Sequence, residues 1–247
     1  MTYCVAILVD QGLVLASDTR TNAGVDQVAI FPKMHHFEVR GERMVTLLTA
    51  GNLAITQLVV NRLREAIKRD DGAHLNNVES LFDAASLVGD EVRFAFERDA
   101  EHLKNHNADF HASIIVAGQI KNERPRLFNV YSAGNFIESS TETPYFQIGE
   151  TKYGKPIIDR VIKQNTDMME AVKCVLISFD STIRSNISVA PPIDLMLYRK
   201  DSLHGDSHQR IGENDAYYAL IRKGWSEGLN TVFRQLPAPD WHEASCT

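Results

Sequence analysis

Cysteine is scarce in this 247-residue chain, and neither a long apolar run nor a cluster of basic residues is present. The three cysteines, Cys4, Cys174 and Cys246, show no CxxC spacing, so we expect reduced, unpaired thiols in a reducing compartment. No apolar stretch approaches the length that spans a bilayer. The N-terminus lacks a basic segment followed by a small-residue cleavage site, which favours a cytoplasmic location.

Charge and composition exclude further classes of protein. Asp and Glu number 32 against 26 Lys and Arg, for a formal net charge of −6. A nucleic-acid-binding protein normally carries a basic face, so a nucleic-acid partner is not expected. The chain is 44% hydrophobic and 23% charged, which is typical of a folded globular protein rather than of a disordered or low-complexity one.

Apolar periodicity predicts strands and helices in separate groups. Apolar runs bounded by turn residues predict strands, and apolar residues at helical spacing predict helices. The predicted strands are 3–9, 13–17, 37–40, 44–49, 112–120, 127–132, 144–148, 193–198 and 208–211. The predicted helices are 55–67, 81–103, 156–164, 168–183 and 214–235, the last capped by Asn214 and followed by a tail, 236–247. This order predicts one domain, 1–247, of two stacked sheets with helices on both outer faces.

Several motifs have simpler explanations than catalysis. Residues 149–155 match G-x-x-x-x-G-K, but Pro156 follows where a phosphate loop needs Ser or Thr, so a glycine-rich turn is predicted. The histidine pairs 102/106 and 204/208 lack HExxH or paired CxxC motifs, so neither a metal nor a cofactor is expected. No G-x-S-x-G elbow is present. Cys4 lies within an apolar run and is interpreted as a small buried residue.

Thr2 is the strongest candidate nucleophile. A small second residue permits removal of Met1, which would leave a chain beginning with threonine. Such a residue carries its own base, because a free α-amine with a pKa of about 7.7–8.0 can accept the hydroxyl proton. The dipeptide alone is weak support, since most proteins that start this way are simply processed.

Asp18 and Lys33 are candidates to assist Thr2. Asp18 ends the second apolar run, and Lys33 precedes the third strand. If their strands flank the first, the two side chains would pair beside the Thr2 hydroxyl. A cation there would lower the pKa of both the hydroxyl and the α-amine. A purely structural ion pair is an equally good interpretation of the spacing.

Together these segments resemble a proteasome β-type subunit. The resemblance rests on Thr2, the apolar hairpin, Lys33 and three short segments: Ala16-Ser17-Asp18-Thr19-Arg20, Asn22-Ala23-Gly24 and Thr49-Ala50-Gly51. The opening Met-Thr-Tyr-Cys-Val-Ala-Ile and the segment Thr-Asn-Ala-Gly-Val-Asp are most similar to Anbu, the bacterial proteasome-related family. The predicted order of elements fits over the whole chain, whereas the specific motifs lie mainly in residues 2–54.

The resemblance implies an α+β fold, the four-layer αββα sandwich of the N-terminal-nucleophile (Ntn) hydrolases, with two antiparallel sheets. It implies that Thr2 is the nucleophile after loss of Met1 and that the Gly51 amide forms the oxyanion hole. It also implies homo-oligomeric rings or open spirals in the bacterial cytoplasm. The remaining implied roles are tuning of the site by Asp18 and Lys33, support by Arg20 and Ser188, and substrate contact by Asn22 and Leu53.

The chain departs from the β-subunit pattern at two places. Gly149-Glu150-Thr151 stands where active subunits carry Gly-Ser-Gly, and Ser185 to Pro192, including Pro191-Pro192, replaces a segment with Asp and Ser-Gly-Gly. Three functions therefore stay open. The first is hydrolysis of peptide or amide bonds through an acyl-enzyme. The others are a catalytically quiet homo-oligomeric assembly and an Ntn amidase of a small metabolite.

Overall fold

A computed structural model describes residues 1–22, 28–106, 110–205 and 207–239. It divides into two units, Met1–Glu213 and Asn214–Thr247, which are described separately. Cys246, residues 23–26 of the family segments and most of the predicted tail lie outside the described residues.

Regular elements occupy most of the first unit. Its strands are β1 (Tyr3–Val9), β2 (Gly12–Asp18), β3 (Arg20–Asn22), β4 (Val28–Ile30), β5 (Met34–Val39), β6 (Arg43–Gly51), β7 (Ala112–Ile120), β8 (Arg126–Val130), β9 (Phe136–Glu138), β10 (Tyr145–Gly149), β11 (Ile193–Arg199) and β12 (Ser207–Ile211). Its helices are α1 (Leu53–Arg69), α2 (Leu81–Asn105), α3 (Lys155–Val161) and α4 (Met168–Ser185).

The first sheet has the antiparallel order β10-β1-β2-β11-β12. Its central strands β1 and β2 are buried along their whole length, which explains why they are continuous apolar runs rather than alternating ones. Gly12 turns the hairpin between them at φ +142°, and a Cβ there would lie 2.0 Å from the Tyr198 carbonyl oxygen.

The second sheet has the antiparallel order β5-β6-β7-β8-β9, and β3 pairs with β4 in a separate two-stranded ribbon. The sequence pattern predicts neither β3, β4 nor β9, because three residues are too few to establish a period of two. The predicted strand 37–40 begins earlier, at Met34, because buried and exposed side chains alternate from there.

The four layers are held by two apolar clusters. Residues of β1, β2, β6 and β7 pack between the sheets, among them Leu15, Leu48 and Ile115. A larger cluster joins the outer face of the second sheet to α1 and α2. On the opposite outer face, α4 packs on β1 and β2, where the Tyr3 and Phe179 rings lie 4.6 Å apart. The structure thus confirms the predicted αββα sandwich.

The second unit contains α5 (Ala216–Gln235). Its N-cap is Asp215, whose carboxylate accepts the Tyr218 N–H at 2.8 Å, so the predicted cap at Asn214 is wrong by one residue. Asn and Asp are about equally good caps, and local sequence therefore cannot choose between neighbours of these types. Within the described ranges, no helix is long and apolar enough to cross a membrane.

Candidate active site

The backbone of Thr2 is fixed against the end of β10. Its carbonyl oxygen accepts the Glu150 N–H at 2.7 Å, and the next residue, Tyr3, pairs with Gly149 in the sheet. Gly149 has φ +83°, and a Cβ there would lie 2.0 Å from the Thr2 carbonyl oxygen. Only glycine allows this approach, so local sequence and sheet pairing together place Thr2 at the head of β1.

Asp18 and Lys33 form a buried ion pair beside the head of β1. Lys33 Nζ donates to Asp18 Oδ1 at 2.9 Å, and the Tyr3 N–H donates to the same oxygen at 2.9 Å. Lys33 Nζ also donates to the Arg20 carbonyl oxygen at 2.5 Å. The pair is therefore linked directly to the backbone of the residue that follows Thr2.

The two partners reach this position by a different route from the one expected. Asp18 ends β2, a neighbour of β1, but Lys33 precedes β5 in the facing sheet. The other neighbour of β1 is β10. The Lys33 carbonyl oxygen accepts the Thr49 N–H at 2.9 Å, which holds Lys33 to the second sheet. The ion pair thus connects the two sheets. The expectation that both partners lie on strands adjacent to β1 does not predict this contact.

Burial and charge act in opposite directions at this pair. Burial raises the pKa of Asp18 above its ordinary value, while Lys33 and the Tyr3 N–H counteract that rise. At the chain's first amine, on Met1, burial is the main cause of a lowered pKa, and the nearby Lys33 ammonium lowers it further. Burial and Lys33 together therefore favour the neutral form of the Met1 amine.

Gly51 ends β6 in a conformation that favours glycine. Its φ is +116°, and a Cβ at this position would lie 2.2 Å from the His111 carbonyl oxygen. Asn52 follows as the N-cap of α1 and accepts the Ala54 N–H at 3.0 Å. Gly51 is exposed and Leu53 is half-buried as the first residue of α1. The positive end of the α1 dipole is therefore adjacent to the predicted oxyanion hole.

The other predicted site residues occupy more peripheral positions. Arg20 contacts Lys33 through its backbone carbonyl, and the backbone of Asn22 pairs with Val28 in the β3–β4 ribbon. Ser188 is half-buried, and its N–H donates to Asn186 Oδ1 at 2.9 Å. The structure gives Ser188 a role in the turn that follows α4.

Two hydrogen-bonded contacts of the residues that depart from the family pattern are absent from the sequence-based prediction. Asn186 Nδ2 donates to Glu150 Oε2 at 2.8 Å, and Glu150 is buried. Thr19 donates to the Pro192 carbonyl oxygen through both its N–H, at 3.1 Å, and its hydroxyl, at 2.8 Å. The sequence marks Glu150 and Pro192 only as departures from a pattern. Their partners are distant in the chain, and no local signal identifies them.

Two residues that were assigned simpler roles, Cys4 and Lys155, have local surroundings that account for them. Cys4 is buried, and burial raises the pKa of its thiol, which disfavours the thiolate that a nucleophile needs. Lys155 follows the glycine-rich turn and donates to the Tyr145 hydroxyl and to Asp159. Among the described residues, no group of three or more His, Cys, Asp or Glu side chains could hold a metal ion.

Two stacked antiparallel sheets between helix pairs, with a threonine at the head of a central strand, define the Ntn-hydrolase class of fold. The proteasome subunit family matches residues 2–195. The chain therefore belongs to the proteasome subunit family, and within it to the Anbu proteins, as the following structures show.

Solved Anbu structures match over nearly the whole chain. Anbu (ancestral beta-subunit) from Yersinia bercovieri is 48% identical, with a TM-score of 0.91, and the match covers 96% of this chain and 98% of that one. The Anbu complex from Pseudomonas aeruginosa, solved as a helical assembly, is 48% identical, with a TM-score of 0.92 and coverage of 96% and 98%. A Gly-1 mutant of Anbu from Hyphomicrobium sp. strain MC1 is 44% identical, with a TM-score of 0.90 and coverage of 97% and 100%. No match was found among curated proteins.

Proposed function

We propose that this chain is a threonine-type N-terminal hydrolase that cleaves peptide or amide bonds through an acyl-enzyme once Met1 is removed. The observation that carries the proposal is the buried Asp18–Lys33 pair, bonded to the Tyr3 N–H one residue after Thr2. A buried cation and carboxylate one residue after a candidate nucleophile are suited to tuning its protonation. Membership of the proteasome subunit family supports the same chemistry.

The reaction begins with attack of Thr2 Oγ1 on the scissile carbonyl carbon, and the hydroxyl proton passes to the free α-amine of Thr2. Collapse of the tetrahedral intermediate breaks the C–N bond, and the leaving amine takes the proton from the α-ammonium. A water molecule then gives its proton to the α-amine and attacks the ester, which releases the acid and restores Thr2. Lys33 favours both the developing alkoxide and the neutral amine.

The remaining site residues have supporting roles in this proposal. The Gly51 N–H stabilises the oxyanion, because a backbone donor is fixed in place before charge develops. Asn22 and Leu53 flank an extended substrate. Arg20 and Ser188 support the loops that carry Asp18 and Asn186.

Mass spectrometry of the intact protein before and after treatment with a peptide epoxyketone tests the proposal. The reagent needs a free amine and a hydroxyl on one N-terminal residue. We expect loss of Met1 and a single adduct, which Thr2→Ala abolishes and Thr2→Ser keeps. Hydrolysis of a peptide library should fall at least about a thousandfold in Thr2→Ala. Turnover that is unchanged in Thr2→Ala would contradict the assignment.

A catalytically quiet assembly is the second candidate, and it is favoured by the departure at Glu150 and by the helical assembly of the P. aeruginosa relative. In either case we propose that this chain self-associates into rings or open spirals in the bacterial cytoplasm. Light scattering at micromolar concentration should show a species much larger than 27.7 kDa. Retained Met1 without turnover would support the quiet assembly. A monomer would count against self-association, and so against the quiet assembly.

A further inference from the structure

The helix α5 presents an apolar stripe along one side. Of its 20 described residues, only Tyr218 is buried. At 3.6 residues per turn, a stripe of about 100° holds six residues. They are Tyr217, Ile221, Gly224, Trp225, Gly228 and Val232. Tyr217 and Val232 are 47% and 57% exposed, and Ile221 and Trp225 are half-buried. A lone helix of this length is only marginally stable in water, so this α5 stripe needs cover.

Two glycines lie within the α5 stripe, one turn apart. A Cβ at Gly224 or at Gly228 would meet no atom within 4 Å. Glycine is a poor residue for a helix interior, and neither position has a close neighbour that requires it. An open glycine does allow a second backbone or a large side chain to approach closely. The stripe therefore presents two shallow recesses between large side chains.

A second copy of the α5 stripe fits these recesses when the two helices run antiparallel. With position 224 of one helix opposite position 225 of the other, every member of the stripe meets another member. The pairs are Gly224 with Trp225, Ile221 with Gly228, and Tyr217 with Val232. Two-fold symmetry repeats each pair, because both copies use the same surface. In two of the three pairs a large side chain enters a glycine recess, so the stripe is complementary to itself.

Charge favours the same arrangement. Lys223 and Glu227 lie on one flank of the stripe, both largely exposed, with Nζ and Oε1 3.9 Å apart. In the antiparallel pair this flank faces the same flank of the second copy, so Lys223 of one helix lies beside Glu227 of the other. A parallel pair would instead set equal residues opposite one another. The glycine recesses would then face each other and stay unfilled.

We propose that the α5 stripe is a docking surface for the α5 stripe of a second copy of this chain, in an antiparallel two-fold pair. This inference rests on the self-association given under the proposed function, and it names the surface that joins two copies. A two-fold pair closes on itself. Growth into a ring or spiral therefore needs a further surface.

Cysteine cross-linking of the full chain tests the register, in a Cys246→Ser background in which the buried Cys4 and Cys174 stay in place. Oxidation of the double variant Tyr217→Cys/Val232→Cys should give a disulfide-linked dimer on a non-reducing gel. Each single variant should give none, because like positions of the antiparallel pair lie about 22 Å apart. A dimer from a single variant would show a parallel pair. That result, or no dimer from the double variant, would overturn the inference.

Gly228→Leu tests the fit of the recess. Leucine is the better helix former and finds open space in the single chain, so this variant should fold. It fills the recess that receives Ile221 of the second copy. We expect the concentration at which the assembly half dissociates, measured by sedimentation, to rise at least about tenfold. Asn230→Leu adds the same side chain on the opposite, exposed face and should leave that concentration unchanged.

An assembly that is insensitive to Gly228→Leu would show that another part of the chain, or a different protein, covers the stripe, and would overturn the inference. Failure of the inference differs from failure of the proposed function. A large species without the cross-link would sink the α5 pair alone and leave self-association standing. A cross-linked pair in a chain that forms no epoxyketone adduct would sink the hydrolase alone. A monomeric wild-type chain would sink both self-association and the α5 pair, whatever the adduct shows.

Discussion

The two sides of the Thr2 site are built in different ways. On one side, Asp18 and Lys33 form a fully buried pair, with side chains 0% and 5% exposed, that joins the two sheets. On the other side, Glu150 and Asn186 follow β10 and α4 in loops, and the nearby Lys152 is solvated. The first side is therefore tied to the stability of the sandwich, whereas a change in the loops of the second side should disturb the core less.

Of the substitutions that test the difference between the two sides, Lys33→Met should have the largest effect. It leaves the Asp18 carboxylate buried without its cation, which should lower the free energy of unfolding by about 3–5 kcal/mol. Urea denaturation at neutral pH measures the change. Lys173→Met, which removes an exposed pair 3.8 Å long with Glu170, is the control and should cost less than about 1 kcal/mol.

A double-mutant cycle measures the coupling free energy between Asp18 and Lys33. Asp18→Asn combined with Lys33→Met should be less destabilising than the sum of the single variants, because the unpaired buried charge is gone. Additive effects would contradict the interpretation that the two groups stabilise one another.

Gly51→Ala tests whether the Gly51 N–H forms the oxyanion hole. The strain at φ +116° and the approach to the His111 carbonyl oxygen should displace the Gly51 amide. We expect kcat to fall about 10²–10³-fold, as for loss of an oxyanion-hole donor. Gly41→Ala has a similarly positive φ of +79° but open space around a Cβ, so it should retain activity. Equal loss of activity in both variants would argue against a role for the Gly51 amide.

His35, a buried residue of β5, should make the stability of the folded chain depend on pH. Burial, with a smaller contribution from Arg64, lowers the pKa of His35 from 6.5 to about 4. The unfolded chain therefore binds a proton that the folded chain excludes, and stability falls as pH drops from about 6.5 toward 4. The loss attributable to His35 should reach about 3 kcal/mol. Urea denaturation at pH 7 and pH 4 measures this loss of stability. If the loss in His35→Asn were as large as in the wild type, the prediction would be wrong.

Lys152→Met is the smallest expected effect and tests the other side of the site. Lys152 is largely exposed, and its 3.5 Å contact with Glu150 is long for an ion pair. We therefore expect the free energy of unfolding to change by less than about 1 kcal/mol. A loss as large as that of Lys33→Met would erase the distinction between the two sides.

Much of the fold follows from local pattern. Continuous apolar runs predict β1 and β2 because both faces of these strands are buried, and helical spacing predicts α1, α2 and α4. The strands β3, β4 and β9 escape prediction because each has only three residues. The cap of α5 is misplaced by one residue because Asn214 and Asp215 are chemically equivalent as caps.

Local sequence identifies the groups available to the site: a threonine at position 2, a carboxylate at the end of the second strand and a glycine at position 51. The packing of distant segments brings Lys33 to Asp18 from the facing sheet and Asn186 to Glu150. This is because the local hydrophobic pattern indicates which residues are buried, whereas the stacking of two sheets determines which buried groups meet. Charge pairing at Thr2 is thus a property of the sandwich rather than of any one segment.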